Sequence, residues 1–455
     1  MFDRYQREIH YLRLSVTDLC NLRCRYCMPD GVDKLEREDI LTYEEFLRLA
    51  ALFARCGVDT VRVTGGEPLV RKGVEQLVKG LKAIPGIRKV TMTTNAVLLE
   101  QQLPALLEAG LDSVNISLDT LRPEVFRQIT ARDDFAAVQT GLQAALESGL
   151  LNMIGEEVDE AYYTDTMSLC LDPELTERNG AYTRIVYTPL HGSGNVPVRE
   201  ILRRIGIKNI SVVKEQEEPD GSFPTVKAPN PEDPNAFTLA FDLANKTGAD
   251  LILATDPDSD RLGVAVRGRD GGFQVLTGNQ IGSILIHYIL STRNEHGTLP
   301  GNGLVVRSIV STRMADAICA HYGVELREVL TGFRFISEQI AESLETKEHT
   351  FLFGFEESYG FLSGCFSRDK DAICAAMLLA EAATVYELQG RNLYDVLQEI
   401  YEKYGFYGEA VKSYTLKGKE GLEKIAGAMR ALRADKIAQF GGVRVVKSED
   451  IQTGT

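Results

Sequence analysis

The sequence has no apolar run approaching the ~20 residues that span a bilayer. Its first ten residues, MFDRYQREIH, contain no apolar signal-peptide core. Both absences lead to the expectation of a cytoplasmic chain with no membrane partner. Positive charge is also short. Fifty Lys and Arg against 65 Asp and Glu leave a net charge of −15. Proteins that track phosphate backbones need surplus cations, so no nucleic-acid partner is expected. Cysteine is sparse: eight in 455 residues are too few for a disulfide scaffold. No short-period repeat and no low-complexity segment is found.

What is present is an α/β chain too long for one hydrophobic core, which predicts three or four domains. Candidate strands 9–16, 60–64, 89–94 and 113–119 alternate with helical segments such as 42–57 and 101–110, a rhythm that predicts a parallel sheet with crossover helices. A helix over 133–149 should lead into a fifth strand. Instead 151–169 is acidic and reads as helix, which places a boundary near Gly149. A second α/β series starts at 184 and a third at 303. The predicted domains are 1–150, a helical connector 151–180, 181–300, 301–408 and a small α+β tail 409–455.

Three of the cysteines form Cys20-x3-Cys24-x2-Cys27, on a loop directly after the first strand. Thiolates are soft ligands that suit iron–sulfur clusters and zinc. A structural zinc site wants four ligands, and no histidine or fourth cysteine lies nearby. Three cysteines on a cubane leave one iron open to a cofactor or substrate. The remaining cysteines are scattered; Cys56, Cys319 and Cys374 lie on helical patterns and read as small core residues, so no second cluster is expected.

RLSVTDLCNLRCRYCMP (13–29), RVTGGEPLVR (62–71), TTN (93–95) and NISLD (115–119) resemble the radical S-adenosylmethionine (SAM) superfamily, and within it the GTP 3′,8-cyclases of molybdenum cofactor biosynthesis. The resemblance covers about residues 2–150 and implies part of a (β/α) barrel. It also implies a 4Fe-4S cluster on Cys20, Cys24 and Cys27, whose open iron chelates SAM and whose electron releases a 5′-deoxyadenosyl radical. Tyr26, Gly66 and Ser117 match SAM contacts. Arg13, Arg62 and Thr93 match positions that hold GTP, where arginine suits a triphosphate through its forked charged donors. That family's second cysteine cluster, GTP-contacting lysine and C-terminal glycine tail have no counterpart in this sequence.

Further on, Asp256, Asp258 and Asp260 follow an apolar strand at i, i+2 and i+4. Such a loop can converge on a hard cation, and magnesium prefers a few carboxylates plus phosphate oxygens. An EF-hand is excluded, because Gly is missing at loop position six and Glu at twelve. A solvated acidic turn is the plain alternative. TPLHGSG (188–194), DPDSDRLG (256–263), LTGFRFI (330–336), GFEESYGF (354–361) and RDKDA (368–372) occur in that order and resemble the α-D-phosphohexomutases, the phosphoglucomutases and phosphomannomutases, over about 151–455. The resemblance implies α/β/α domains, Mg2+ on the three aspartates, and a hexose phosphate as substrate. Glu356 and Ser358 would bind sugar hydroxyls, and Arg368 and Lys370 would clamp the phosphate. His191 would lie near the cleft, although a surface or capping role fits it as well. Arg334 stands where lysine is usual, and the two are not interchangeable at a close phosphate contact.

Two parts of that family are not found. No Ser-His pair of the phosphoserine loop exists in the sequence, and the Arg- and Ser-rich phosphate loop of the last domain is absent. No catalytic nucleophile is therefore assigned. The reading is a hybrid: the front of one enzyme stands in place of another's first domain, with both activities incomplete, as a gene fusion or misassembly would produce. The alternative is a non-catalytic binder of cluster, SAM and magnesium.

Overall fold

The computed structural model describes residues 9–27, 39–151, 154–409, 416, 418–434 and 438–446. Met28 and Pro29 of the cysteine motif and much of the 409–455 tail lie outside them. The chain divides into two compact units, Met1–Asp159 and Glu160–Thr455.

In the first unit β1 (Tyr11–Ser15), β2 (Thr60–Thr64), β3 (Lys89–Thr94) and β4 (Ser113–Ile116) form one sheet in that order, all parallel. The crossovers are α1 (Tyr43–Arg55), α2 (Val74–Lys82) and α3 (Leu99–Glu108); α4 (Pro123–Thr130) and α5 (Phe135–Glu147) follow β4. Thr42 starts α1 with a capping box to Glu45, satisfying donors the first turn leaves orphaned. Strand residues alternate between faces. Val61, Val63, Val90, Met92 and Val114 are buried in the core with Leu77, Leu81 and Leu106 of the helices. The opposite face carries Arg13, Arg62, Thr93 and Asn115, none of them buried. Register places Arg13 beside Arg62 and Thr93 beside Asn115. Parallel strands covered on both faces read as apolar runs; this one-sided pattern reserves a face for polar ligands.

After the 133–149 helix, where the sequence pattern breaks off before a fifth strand, the structure has one hydrogen bond to β4, Val114 N–H donating to Leu150 O at 3.3 Å. The next regular element is α6 (Glu156–Met167). One sequence reading fails here: Cys56 caps the C-terminal end of α1 and is exposed, because the apolar stripe of α1 ends a turn earlier, whereas Cys319 and Cys374 are buried as expected.

The second unit holds two sheets. The first has the order β6-β5-β7-β8-β9, from β5 (Arg184–Thr188), β6 (Asn209–Val212), β7 (Leu251–Thr255), β8 (Leu262–Arg267) and β9 (Phe273–Leu276), and its last two pairings are antiparallel. The second has the order β11-β10-β12-β13, from β10 (Gly303–Ser308), β11 (Glu325–Val329), β12 (Thr350–Glu356) and β13 (Gly360–Leu362). Helices α7 (Pro173–Asn179), α8 (Asn195–Arg204), α9 (Thr238–Thr247), α10 (Gly278–Glu295), α11 (Met314–Tyr322), α12 (Phe333–Thr346), α13 (Ala372–Leu388) and α14 (Leu393–Tyr404) pack around them. The described part of the tail holds α15 (Gly418–Ala434) and a hairpin of β14 (Gln439–Phe440) and β15 (Val443–Arg444). The helix α13 is apolar on all sides because it runs through the core; among the described residues no single helix is long and apolar enough to cross a membrane.

The segment after the first unit is integral to this core. Tyr163 of α6 is buried in it, and Tyr162 donates to Asp371 at 2.9 Å, where Asp371 caps α13. Glu381, inside α13, accepts from the N–H groups of Leu171 and Asp172 at 2.9 and 2.8 Å. Burial pushes the Glu381 carboxyl up to about 7, against the opposing pull of those two N–H groups.

Candidate functional site

In the first unit the thiol loop leaves the C-terminal end of β1, beside the loops that follow β2, β3 and β4. The backbone of GGEP presses against it. Gly66 N–H donates to Thr17 O and Glu67 N–H to Leu19 O, each at 2.7 Å. A Cβ on Gly66 would stand 2.3 Å from Leu19 O, which only glycine avoids. The buried Glu67 carboxylate accepts from Leu69 N–H (3.1 Å), Thr94 hydroxyl (2.8 Å) and Asn95 N–H (2.7 Å). Burial raises its pKa against the pull of these donors. Asn95, fixed in this way, donates its side-chain amide to Asn21 at 2.7 Å and lies 3.7 Å from Cys20 Sγ. From the other side Arg23 and Arg25 N–H donate to Thr130 and Ile129 carbonyls of α4, at 2.9 and 3.0 Å.

The three donors differ in exposure. Cys20 and Cys24 are half-buried, and burial raises both thiols; Cys27 is exposed. Tyr26 points outward and donates to Asp119 at 3.0 Å, tying the loop to the segment after β4. Ser117, also after β4, is exposed, with its N–H on Thr94 O at 2.9 Å. Arg62 donates to Thr91 at 3.3 Å. Three soft donors on one pinned loop, beside a polar sheet face, fit a cluster with an open position.

In the second unit the three-aspartate loop follows β7. Ser259 adopts a left-handed φ of 59°, which turns the chain so that Asp256 accepts from Asp260 and Arg261 N–H at 3.1 and 3.0 Å. Oxygens of Asp256, Asp258 and Asp260 lie within 4.8 Å of one another. Burial first, then the charges of Asp260 and Asp258, push the Asp256 carboxyl up to about 7. Asp260 Oδ1 is buried with no hydrogen-bond partner. A hard divalent cation fits this donor set. The loop is gripped from several sides. Ser193 N–H donates to Pro257 O at 2.8 Å, and a Cβ on Gly192 would stand 2.5 Å from Pro257 Cα. Leu262 N–H donates to Tyr359 O (3.0 Å), and Ala372 N–H to Ser259 O (3.2 Å). Lys370 pairs with Asp260 at 2.9 Å.

Glu356, at the end of β12, is buried and accepts from Gly332 N–H at 2.6 Å. Gly332 has φ 117°, which reserves that position for glycine. Burial raises the Glu356 pKa, while the Lys370 charge lowers it. Ser358 is half-buried in the turn between β12 and β13. Arg368 is exposed, and its carbonyl accepts from the Ser337 hydroxyl.

Three sequence models match segments of the chain: "Radical SAM superfamily" over residues 14–158, and "Phosphoglucomutase/phosphomannomutase, alpha/beta/alpha domain II" and "domain III" over 161–271 and 277–404. The chain joins a radical SAM domain to phosphohexomutase domains II and III. Curated relatives include the phosphoglucomutase of Staphylococcus saprophyticus, 36% identical over 352 residues (76% of this chain, 62% of the relative). The phosphoglucomutase of Staphylococcus aureus is 39% identical over 270 residues (59% and 48%). The chain thus spans about half to three-fifths of the length of the curated relatives it matches. Solved structures include a phosphoglucomutase/phosphomannomutase family protein from Burkholderia thailandensis (TM-score 0.42, 18% identity, 80% of this chain and 77% of that one). The N-acetylphosphoglucosamine mutase of Aspergillus fumigatus gives a TM-score of 0.43 at 15% identity (72% and 63%).

Within the radical SAM domain, Arg13, Arg62 and Thr93 share the polar sheet face, and the cysteine loop, Gly66 and Ser117 follow the C-terminal ends of its strands. Within the phosphohexomutase domains, the three aspartates meet Lys370, whose charge also reaches Glu356. Three sequence readings gain structural detail. The glycines of GGEP make room for the backbone of the thiol loop, and the Gly66 N–H is spent there. Lys370 is engaged by Asp260 and Asp369. His191 is buried away from solvent. Its Nε2 lies 2.8 Å from Thr225 Oγ1 and its Nδ1 3.3 Å from Glu218 O, so it pins the Pro-rich 217–236 loop. Sequence reasoning passed over Glu67, Asn95 and Asp119, although all three lie inside motifs it quoted.

Proposed function

We propose that the chain holds two small-molecule sites, a SAM site with a GTP-type nucleotide on the first unit and a magnesium–hexose-phosphate site on the second, and that it does not complete the mutase reaction. The meeting of Lys370 and the 354–361 segment with the three-aspartate loop carries the reading of the second unit. It supports a divalent-cation site on the three aspartates with a cationic side chain close by, whose charge also reaches the sugar-binding candidate Glu356. Asp256, Asp258 and Asp260 would hold the metal, and Glu356 and Ser358 would orient the sugar hydroxyls. Arg368 would meet the phosphate from its exposed loop. Magnesium, when bound, offsets charge on a phosphoryl group. With no Ser-His pair in the sequence, the chain offers no phosphoserine of that type to donate one.

On the first unit, Cys20, Cys24 and Cys27 would hold the cluster, which when bound supplies the electron that cleaves the SAM sulfonium. Tyr26 and Ser117 would border the SAM. Arg13 and Arg62, neighbours across β1 and β2, would meet a triphosphate, with Thr93 further along the same sheet face. The nucleotide assignment rests on the cyclase-like motifs.

Anaerobic reconstitution with iron and sulfide tests the first site: visible absorption that changes on adding SAM is expected, and a colourless chain with stoichiometric zinc would refute it. Incubation with Mg2+, glucose 1-phosphate and glucose 1,6-bisphosphate tests the second. Binding of glucose 1-phosphate without glucose 6-phosphate is expected; clear turnover would overturn the incomplete-mutase reading.

A further inference from the structure

Lys370 comes from the loop before α13, yet it closes on the loop after β7. Its Nζ is 2.9 Å from Asp260 Oδ2 and 3.0 Å from Asp369 Oδ1. Its stem is laid over Gly360, where a Cβ would stand 2.2 Å from Lys370 Cδ, and its Nζ is 5.6 Å from the Phe333 ring centroid. The second cation at this loop is held back. Arg261 is tied to Glu232 at 2.8 Å, and its Nε remains 3.7 Å from Asp260 Oδ1 and 3.9 Å from Asp256 Oδ2. Among the described residues Lys370 makes the shortest ion pair with the three aspartates. Its ammonium therefore faces the carboxylates where a metal ion would sit, and its charge is also felt at Glu356.

We propose that Lys370 is a tethered competitor for magnesium: an arriving ion takes Asp260 from the ammonium and frees Lys370 toward the Glu356 side, where an anionic sugar ligand then meets it. Magnesium draws its oxygens to 2.0–2.1 Å, and a second cation at contact distance is repelled. The competition is a coupling between two ligands. Magnesium strengthens binding of the phosphate by freeing its cation, and by linkage the phosphate strengthens magnesium binding by the same factor. Lys370 is thus a positioning residue for the metal loop and a partner of the phosphate only afterwards. This rests on the magnesium reading of the second unit.

The test is calorimetric titration of the full chain with MgCl2, then with glucose 1-phosphate in the presence and absence of Mg2+. Lys370→Gln is expected to bind Mg2+ about ten-fold more tightly than wild type and to bind glucose 1-phosphate with no dependence on Mg2+; couplings of this size are ordinary. Lys370→Arg, which keeps the cation, restores weak Mg2+ binding. Asp369→Asn removes the competing anchor on an exposed side chain and leaves the ammonium to Asp260, so its Mg2+ binding weakens about three-fold. Because Asp369 lies on the surface, this arm decides the matter even if the Lys370 variants fail to fold. Unchanged or weaker Mg2+ binding by Lys370→Gln, or tighter binding by Asp369→Asn, overturns the competition and leaves the magnesium site standing. A wild-type chain that takes up no Mg2+ overturns the magnesium reading, and the competition with it.

Discussion

The thiol loop after β1 and the carboxylate loop after β7 both leave the C-terminal end of a parallel strand, and each has a neighbouring glycine pressed on its backbone, Gly66 at Leu19 and Gly192 at Pro257. They differ in depth and in company. Cys27 is exposed and its two partners are half-buried, while Asp256 is buried and Lys370 and Arg261 stand against the aspartates. The difference follows from the ligands' resting charge. Partial burial favours the neutral form of Cys20 and Cys24, so an unloaded thiol loop needs no counter-ion. Solvated carboxylates ordinarily carry charge at neutral pH whether or not a metal is bound, so an unloaded aspartate loop calls for cations of its own, and even beside them burial holds Asp256 toward its neutral form.

The largest effect should separate the two loops outright. Cys24→Ser removes one of the three thiols of the loop; iron per chain after reconstitution is expected to fall to background while Mg2+ binding, read by calorimetry, is unchanged. Loss of both would show that the loops depend on each other.

A smaller, pH-dependent effect should distinguish the units. Both bury a glutamate whose pKa is raised, Glu67 in the first and Glu381 in the second, and Glu381 reaches about 7. A carboxyl whose folded pKa lies above its unfolded value binds its proton more tightly when folded, so its contribution is greatest at low pH and declines as pH rises from about 4.5 to 7. That shift corresponds to on the order of 3 kcal/mol lost from the second unit across this window. Hydrogen exchange of α13 amides between pH 5 and 8 should show it. Glu381→Gln should flatten the slope; a slope that persists would assign it to other groups.

The smallest effect compares the glycines. Gly66→Ala drives a Cβ into a backbone carbonyl 2.3 Å away, which cannot yield without moving the thiol loop. Gly194→Ala meets the side-chain oxygens of Ser259, Thr255 and Tyr187 at 2.7 Å, which have some freedom to turn. Overpacking of this kind costs ~1–3 kcal/mol. Denaturant midpoints should place Gly66→Ala at the upper end and Gly194→Ala at the lower, and the reverse order would show the β2 loop to be the softer one.

Much of this was legible in the sequence. Strands 60–64 and 89–94 fall on their observed limits, because alternating apolar residues and flanking polar ones mark both faces and both ends. The three-aspartate convergence was legible because it is local in sequence. What escaped depends on contacts distant along the chain. The pairing of Lys370 with Asp260 joins segments far apart in sequence, and so does the bond from Glu67 to Asn95 that sets the amide beside Cys20. The sequence leaves His191 near the cleft or, equally well, in a surface or capping role; only the fold shows it buried, with its ring against the Pro-rich loop. Cys56 looked like core because helical spacing does not reveal where an apolar stripe stops.

The rung between Val114 and Leu150 has a practical consequence for handling the protein. Beyond it, among the described residues, the outer side of β4 has no partner strand, so the amides and carbonyls there are a template for any extended peptide. Concentrated solutions should therefore gather chains side by side along this border, and a lysine placed at Asn115, whose side chain already faces water, should keep them apart.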